Sequence, residues 1–346
     1  MERDTWVDYA KGMGIILVVY GHVAGGVYNS GIPMNESLFR LVVSIIYSFH
    51  MPLFFFLSGV FFYDSLVKRG TSGLIRSKVD TVLYPYAVWS LLQGSLEVVL
   101  SNYTNGNASI SDVLSFVWHP RAQFWFLYTL FLVFVISSIV YSHAGKKYTL
   151  PLLIICGVLY TSKQFITPTS QIVGWIFGNI VFFVLGVWFN EVKNAFKHNK
   201  NLLTIVLGAL FLAGQYVFHI TYKLNYTDGA LPTLSLATIS ILFFASLSLT
   251  LEKFNLRWLT YIGASSMTIY LMHTIAGSSV RIALSKVFGI SSPTAHIIIG
   301  TTIGILAPLL AQHIIKKYKL EFFLSPPKGL SAAKNQSEKN IKQTST

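Results

Sequence analysis

Four ionisable side chains lie well inside long apolar stretches of the sequence, away from their ends, where such groups are costly and usually serve a function. They are His22, His50, Glu97 and His273. At about 1.5 Å per residue, each lies roughly 15–20 Å along its stretch, in the middle to outer part of a ~30 Å hydrocarbon slab. Groups at one depth can meet in one cavity, and imidazole is a base near neutral pH. We predict that His22 takes a proton from a hydroxyl group while that oxygen attacks an acyl carbonyl. Glu97 or His50 is expected to orient the ring, with His273 in the same site.

The helix that carries His22 also offers a basic residue on the same face. Lys11 and His22 are eleven residues apart, which at about 100° per residue returns to one face after three turns. Asp8 lies one turn below Lys11. A cation below an imidazole suits an anionic acyl donor that enters from the cytoplasm. The alternative is a Lys11 that extends to the membrane surface and a His22 that binds a neighbouring helix.

The other candidate residues have alternative explanations that need no catalytic or binding role. Glu97 follows Gln93 by one turn, so the two could simply bind each other. Arg76 and Lys78 could hold donor phosphates, although a basic cytoplasmic loop is the better explanation of these cations when spacing is considered alone. His119, Arg121 and Trp125 precede or begin an apolar stretch at its outer end, where they could face an acceptor or anchor the interface. No motif for a metal site is present.

Composition excludes an ordinary soluble protein. The 346 residues are 53% hydrophobic and 11% charged, with a net charge of +13 and a mean hydropathy of +0.57. Soluble domains carry about 25% charged residues, so the remaining class is an integral membrane protein. The single cysteine, Cys156, excludes an internal disulfide.

Ten apolar segments approach the length that crosses a bilayer as a helix. We therefore predict an all-α integral membrane protein, a bundle of about ten transmembrane helices. A strand barrel would alternate apolar and polar residues instead. The predicted spans are Asp8–Val27, Leu38–Phe62, Leu83–Leu100, Phe124–Tyr141, Leu150–Thr161, Val173–Phe189, Leu202–His219, Leu231–Leu251, Gly263–Leu284 and His296–Ile315.

The placement of basic residues predicts that both termini are cytoplasmic. In that orientation the inner segments carry 20 of the 26 Lys and Arg residues. This explains the basic charge without nucleic acid. We predict a membrane domain over 1–324 and a disordered, Lys-rich cytoplasmic tail over 325–346. The six basic residues of the outer segments are Arg40, Arg121, Lys163, Lys223, Arg281 and Lys286.

Five segments, in order, resemble the acyltransferase-3 family of bacterial integral membrane acyltransferases. The first is "WVDYAKGMGIILVVYGHV", which holds the family's pattern of Arg or Lys, ten residues, then His as Lys11 and His22. The next is "YSFHMPLFFFLSGVFF", and these two are most similar to the branch called fucose 4-O-acetylase-like. The others are "YPY" at Tyr84–Tyr86, "FWFLYTLF" at Phe124–Phe131 and "SSMTIYLMH" at Ser265–His273.

The resemblance implies O-acetylation of a cell-surface carbohydrate, such as a lipid-linked O-antigen or exopolysaccharide precursor. Acetyl-CoA is then the cytoplasmic donor, used as a co-substrate, and the location is the bacterial inner membrane. Many members carry R-x-x-R before the third span. Here the sequence is Arg76-Ser77-Lys78-Val79, so Lys78 only approximates the second arginine. A polysaccharide or small-solute transporter is the alternative function.

Overall fold

The described part of the chain is predominantly helical. The computed structural model describes residues 4–100, 109–163, 165, 170–228 and 230–333. Within these ranges there is no β-strand. The α-helices are α1 Thr5–Asn29, α2 Glu36–Tyr47, α3 His50–Val60, α4 Phe62–Lys78, α5 Tyr84–Val99, α6 Ile110–Leu114, α7 Trp125–Ala144, α8 Thr149–Ser162, α9 Gln171–His198, α10 Lys200–Tyr216, α11 Ala230–Leu251, α12 Arg257–Ala264, α13 Ser266–Ile282 and α14 Pro293–Lys317.

The helical membrane class is confirmed, because the described residues include seven helical stretches long and apolar enough to cross a bilayer. Helices are expected there, since a spanning segment must satisfy its own backbone polar groups. The other three predicted spans fall on α5, α8 and α13, which have 16, 14 and 17 residues. Ten crossings and cytoplasmic termini stay predictions. The seven stretches are Thr5–Asn29, Glu36–Val60, Ile110–Ala144, Gln171–His198, Lys200–Thr221, Ala230–Phe254 and Pro293–Lys317.

The chain forms two compact units. The first comprises Met1–Phe62 with Lys147–Leu309, and the second comprises Tyr63–Lys146 with Leu310–Thr346. In the first unit α1 is the central helix, and it packs against α3, α11, α12 and α13. The Glu252 carboxylate accepts hydrogen bonds from the Trp6 amide (2.8 Å) and the Thr5 hydroxyl (2.6 Å). It thereby caps the amino end of α1, which has no cap from its own Asp4 side chain.

The helices α3 and α9 touch through their backbones. A Cβ atom added at Gly59 would lie 2.0 Å from the Phe183 carbonyl oxygen, and one at Gly186 would lie 2.0 Å from the Phe56 carbonyl oxygen. The two glycines therefore permit a close approach from both sides. Small residues have this role where membrane helices cross.

In the second unit, hydrogen bonds attach the carboxyl-terminal segment to the helix α5. The Tyr84 hydroxyl donates to the Phe322 carbonyl, and the Trp89 indole donates to the Phe323 carbonyl, both at 2.7 Å. Further along, the Asp80 carboxylate accepts from the Ser331 hydroxyl at 2.8 Å. The predicted tail thus has a described part, 325–333. The rest of it, 334–346, lies outside the described residues.

Candidate active site

The helix α1 holds the two residues of the Lys-to-His pattern on one uninterrupted element. Because α1 runs without a break from Thr5 to Asn29, Lys11 and His22 are separated by about 16 Å of helix rise. A neighbouring short helix fixes the lower half of α1. A Cβ atom added at Gly263 of α12 would lie 1.8 Å from the Asp8 carbonyl oxygen. Close packing of α12 against α1 therefore fixes the position of His22 along the axis of α1 within the first unit.

His22 lies against His273 of α13. The two ring centroids are 5.0 Å apart, with an edge-on arrangement. His273 is completely buried, and its Nδ1 lies 2.8 Å from the Tyr270 carbonyl oxygen and 3.1 Å from that of Ile269. A carbonyl only accepts hydrogen bonds, so Nδ1 carries the proton and Nε2 of His273 is left as an acceptor.

His50 belongs to the same unit and stands where a predicted span is interrupted. The stretch Glu36–Val60 consists of α2 and α3, and His50 is the first residue of α3. Pro52 explains the break, because proline has no amide hydrogen to continue the helical ladder. The His50 Nδ1 donates to the Ile46 carbonyl oxygen at 2.9 Å. Its ring lies 4.7 Å from that of Tyr47, which in turn packs against Gly21, beside His22.

A pocket opens beside the His22 and His273 rings. All of its lining residues come from α1 and α13. Within the described residues the His22 imidazole makes no hydrogen bond, so its nitrogens are available to a bound molecule. The lining residues are His22, Val23, Gly26, His273, Thr274, Gly277, Ser278 and Arg281.

Glu97 has partners within the second unit. Its Oε1 accepts from the Gln93 side chain at 3.0 Å, and its Oε2 pairs with Arg121 at 3.5 Å. The Gln93 and Gln123 amides bind each other at 2.7 and 3.3 Å. These residues, except Gln123, line a second pocket next to Phe124. The Gln93 contact matches the alternative weighed for Glu97, and its role beside His22 stays a prediction.

The remaining predicted residues are also in the second unit, apart from Lys11. The Lys78 ammonium lies over the Phe134 ring, 4.1 Å from its centroid, and Arg76 is half-buried in the last turn of α4. His119 is exposed, and the Trp125 ring packs edge-on against Phe126. Their assignments to donor or acceptor stay predictions. No group of three potential metal ligands occurs among the described residues.

Comparison with known proteins identifies the family. The profile described as an acyltransferase domain, of acyltransferase family 3, matches residues 4–313, which is nearly the whole chain. The chain belongs to the acyltransferase-3 family. The resemblance noted in the five sequence segments is thereby confirmed.

Two curated relatives extend this comparison. A protein named nodulation protein NolL from Sinorhizobium fredii is 27% identical over 140 residues, which is 40% of this chain and 37% of the relative. A protein of the same name from Mesorhizobium japonicum is 25% identical over 139 residues, 40% of this chain and 36% of the relative. The matched region thus spans little more than a third of each relative. No solved structure matches.

The structure of this acyltransferase-3 protein adds residues to the site that the sequence analysis did not select. Arg281 lines the His22 pocket, whereas the predicted topology places it only among the basic residues of the outer segments. Its position inside the predicted span Gly263–Leu284 was an available signal. Tyr47, which packs against Gly21 in the first unit, is also an addition, and its spacing in the sequence gives no sign of this contact.

Proposed function

We propose that the protein is a membrane O-acetyltransferase that moves an acetyl group from cytoplasmic acetyl-CoA to a hydroxyl of a cell-surface carbohydrate. Membership of the acyltransferase-3 family supports acyl transfer. The observation that carries the proposal is the placement of the His22 ring in a pocket, against the buried His273. An ionisable side chain inside a membrane domain is costly in free energy and usually serves a function. Removal of a proton from a hydroxyl group is such a function.

The proposed reaction needs one proton acceptor. His22 removes the proton of the acceptor hydroxyl as its oxygen bonds to the acetyl carbon. The carbon–sulfur bond then breaks, and the proton passes from His22 to the departing CoA thiolate. Nε2 of His273 is available to accept a hydrogen bond from the protonated or neutral His22 ring and so to orient it. A transient acetyl group on His22 is a second route to the same products.

The donor assignment rests on charge. Acetyl-CoA carries phosphates, which lysine and arginine bind. Lys11 lies three turns below His22 on α1, and Arg76 and Lys78 end the helix α4. We assign these three cations to the donor phosphates. The acceptor is proposed to be lipid-linked, as in O-antigen or exopolysaccharide assembly, with the enzyme in a bacterial inner membrane.

The first prediction concerns His22. A His22→Ala variant is expected to lose at least about 100-fold in acetyl transfer, because the general base is absent. The assay uses membranes containing the protein, labelled acetyl-CoA and lipid-linked glycans from a strain that lacks the gene. His198→Ala is the matched control, since His198 is exposed at the end of α9 in the same unit. A normally inserted His22→Ala protein with full activity would contradict the mechanism.

The same assay separates the enzyme from the alternative function. A polysaccharide or small-solute transporter has no use for acetyl-CoA, so it would release no free CoA thiol and would leave the glycans unchanged in mass. The enzyme is expected to release one thiol for each acetyl ester formed. Absence of both products with wild-type protein would favour the transporter.

A further inference from the structure

The pocket at His22 has a cation at its far end. Arg281 lines it together with His22, His273 and Thr274. Arg281 follows His273 by eight residues on α13, a rise of about 12 Å. Long helical side chains lean back towards the amino end of their helix. This direction brings the guanidinium towards the histidines.

Contacts with α1 locate the Arg281 side chain more closely. Its Nε lies 3.8 Å from the position that a Cβ atom would take at Gly26. Gly26 is about one helical turn beyond His22, about 6 Å further along the axis. The guanidinium and the imidazole are thus separated by about one turn of α1, and the pocket lies between them. The space between them measures about 20 Å³, room for a water-sized group, so the sugar ring itself is expected to lie at the mouth of the pocket.

A guanidinium in this position is costly without an anion. Arg281 is half-buried in a predicted span, where charged groups are rare unless they pair or serve a function. Among the described residues, no carboxylate lies within ion-pair distance of Arg281. Guanidinium groups bind carboxylate and phosphate through two parallel hydrogen bonds. The pocket therefore offers a base at one end and an oxyanion site at the other.

We propose that Arg281 binds an anionic group of the acceptor, so that the enzyme prefers a sugar with a carboxylate or phosphate about one helical turn in distance from the acetylated hydroxyl. That the bound molecule is the acetyl acceptor rests on the proposed function. The oxyanion site itself rests only on the pocket. The shared chemistry is a two-oxygen anion, which a uronic acid or the phosphate of a lipid-linked sugar can supply.

The first test measures binding without catalysis. Wild-type protein in nanodiscs is titrated with methyl glucuronide, glucose 1-phosphate and the neutral methyl glucoside, and the thermal midpoint is followed. At least one anionic sugar is expected to stabilise the wild type more than methyl glucoside does. Stabilisation by methyl glucuronide would indicate that the site binds a carboxylate on the sugar. Stabilisation by glucose 1-phosphate would indicate that it binds a phosphate at the anomeric carbon.

Variants then assign the effect to Arg281. Arg281→Met is expected to weaken binding of the anionic sugar about 10- to 100-fold, the loss typical of a charged hydrogen-bonded pair. Arg281→Lys should recover part of it, because it keeps the charge without the paired donors. Lys286→Met is the control, since Lys286 is an exposed cation five residues further on and is not in the pocket lining. Equal stabilisation by all three sugars, or an unchanged Arg281→Met, would overturn the proposal.

A second test links the site to acetyl transfer. The ratio of kcat/KM for an acidic acceptor to that for its neutral counterpart should exceed ten in the wild type and fall towards one in Arg281→Met, with the KM for acetyl-CoA unaltered. A rise in the KM for acetyl-CoA instead would place the donor at Arg281 and overturn the proposal. If wild-type protein binds anionic sugars but transfers no acetyl group, the proposed function fails while the oxyanion site stands.

Discussion

At the scale of single residues, the structure distinguishes between the histidines. His50 and His273 both donate from Nδ1 to backbone carbonyls of the preceding turn. This fixes their tautomers and leaves Nε2 as the acceptor on each ring, with the Thr274 hydroxyl 3.5 Å from Nε2 of His273. His22 has no such bond within the described residues. The His22 ring is therefore free to take up a proton from a bound molecule and to release it again, which suits a base. His273 is placed to orient the His22 ring.

The second prediction tests this division of roles. His273→Phe keeps a planar ring against His22 but removes the Nε2 acceptor. The kcat of acetyl transfer is expected to fall about 10- to 100-fold, less than for His22→Ala, because an orienting group is lost rather than the base. The KM for acetyl-CoA should stay the same.

The control is His198→Phe, at the exposed end of α9. A parallel rise in the KM for acetyl-CoA would instead indicate that His273 contributes to donor binding. Unchanged kcat would remove His273 from the site.

At the scale of elements, the crossing of α3 and α9 depends on glycine. Gly59 and Gly186 each face a backbone carbonyl of the other helix, so an added methyl group has no room to move into. The loss of space cannot be relieved by a rotamer change, because the obstacle is backbone. The crossing holds His50 indirectly, since α3 begins at that residue.

The third prediction follows from this crossing. Gly186→Ala is expected to destabilise the protein by about 1–3 kcal/mol, the usual cost of overpacking. A lower thermal midpoint in detergent would report it. Gly25→Ala is the matched control, because Gly25 lies in the helix α1 with nothing within 4 Å of an added Cβ atom.

Gly25→Ala should leave the midpoint unchanged or raise it, since alanine favours helix by about 1 kcal/mol over glycine. Equal midpoints for Gly186→Ala and the wild type would show that α3 and α9 can separate without loss.

At the scale of the whole molecule, the number of crossings decides where the ends lie. Ten crossings place both termini on one side, whereas seven would place them on opposite sides. The distribution of Lys and Arg favours ten, because ten crossings from a cytoplasmic amino terminus would leave 20 of the 26 on the cytoplasmic side. The shorter helices α5, α8 and α13 are the ones on which the count depends.

The fourth prediction is a topology map. Cys156 is the only cysteine, so a Cys156→Ala background accepts single cysteines at chosen sites. An impermeant maleimide applied to intact spheroplasts is expected to label Lys223→Cys but not Lys253→Cys. A tag after residue 346 should be reached only after the membrane is opened. Labelling of Lys253→Cys from outside, or exposure of the tag, would contradict ten crossings with both ends inside.

Part of the site could be predicted from the sequence because its signals are local. Lys11 and His22 share one helix, so their spacing alone puts them on one face. His22 and His273 come from distant parts of the chain, and matching depth within the membrane was the only available guide to their meeting. Depth says nothing of direction around the bundle. For that reason it could not show that Glu97 pairs with Arg121 in its own unit.

The sequence by itself determined the helical membrane class and the acyltransferase-3 family, because apolar length and motif order need no knowledge of contacts. It also placed a histidine above a lysine on α1. Only the tertiary structure decided that His273 touches His22 and that Arg281 closes the far end of their pocket. The physical reason is that helix spacing fixes the height of a side chain, whereas packing between helices fixes its partner.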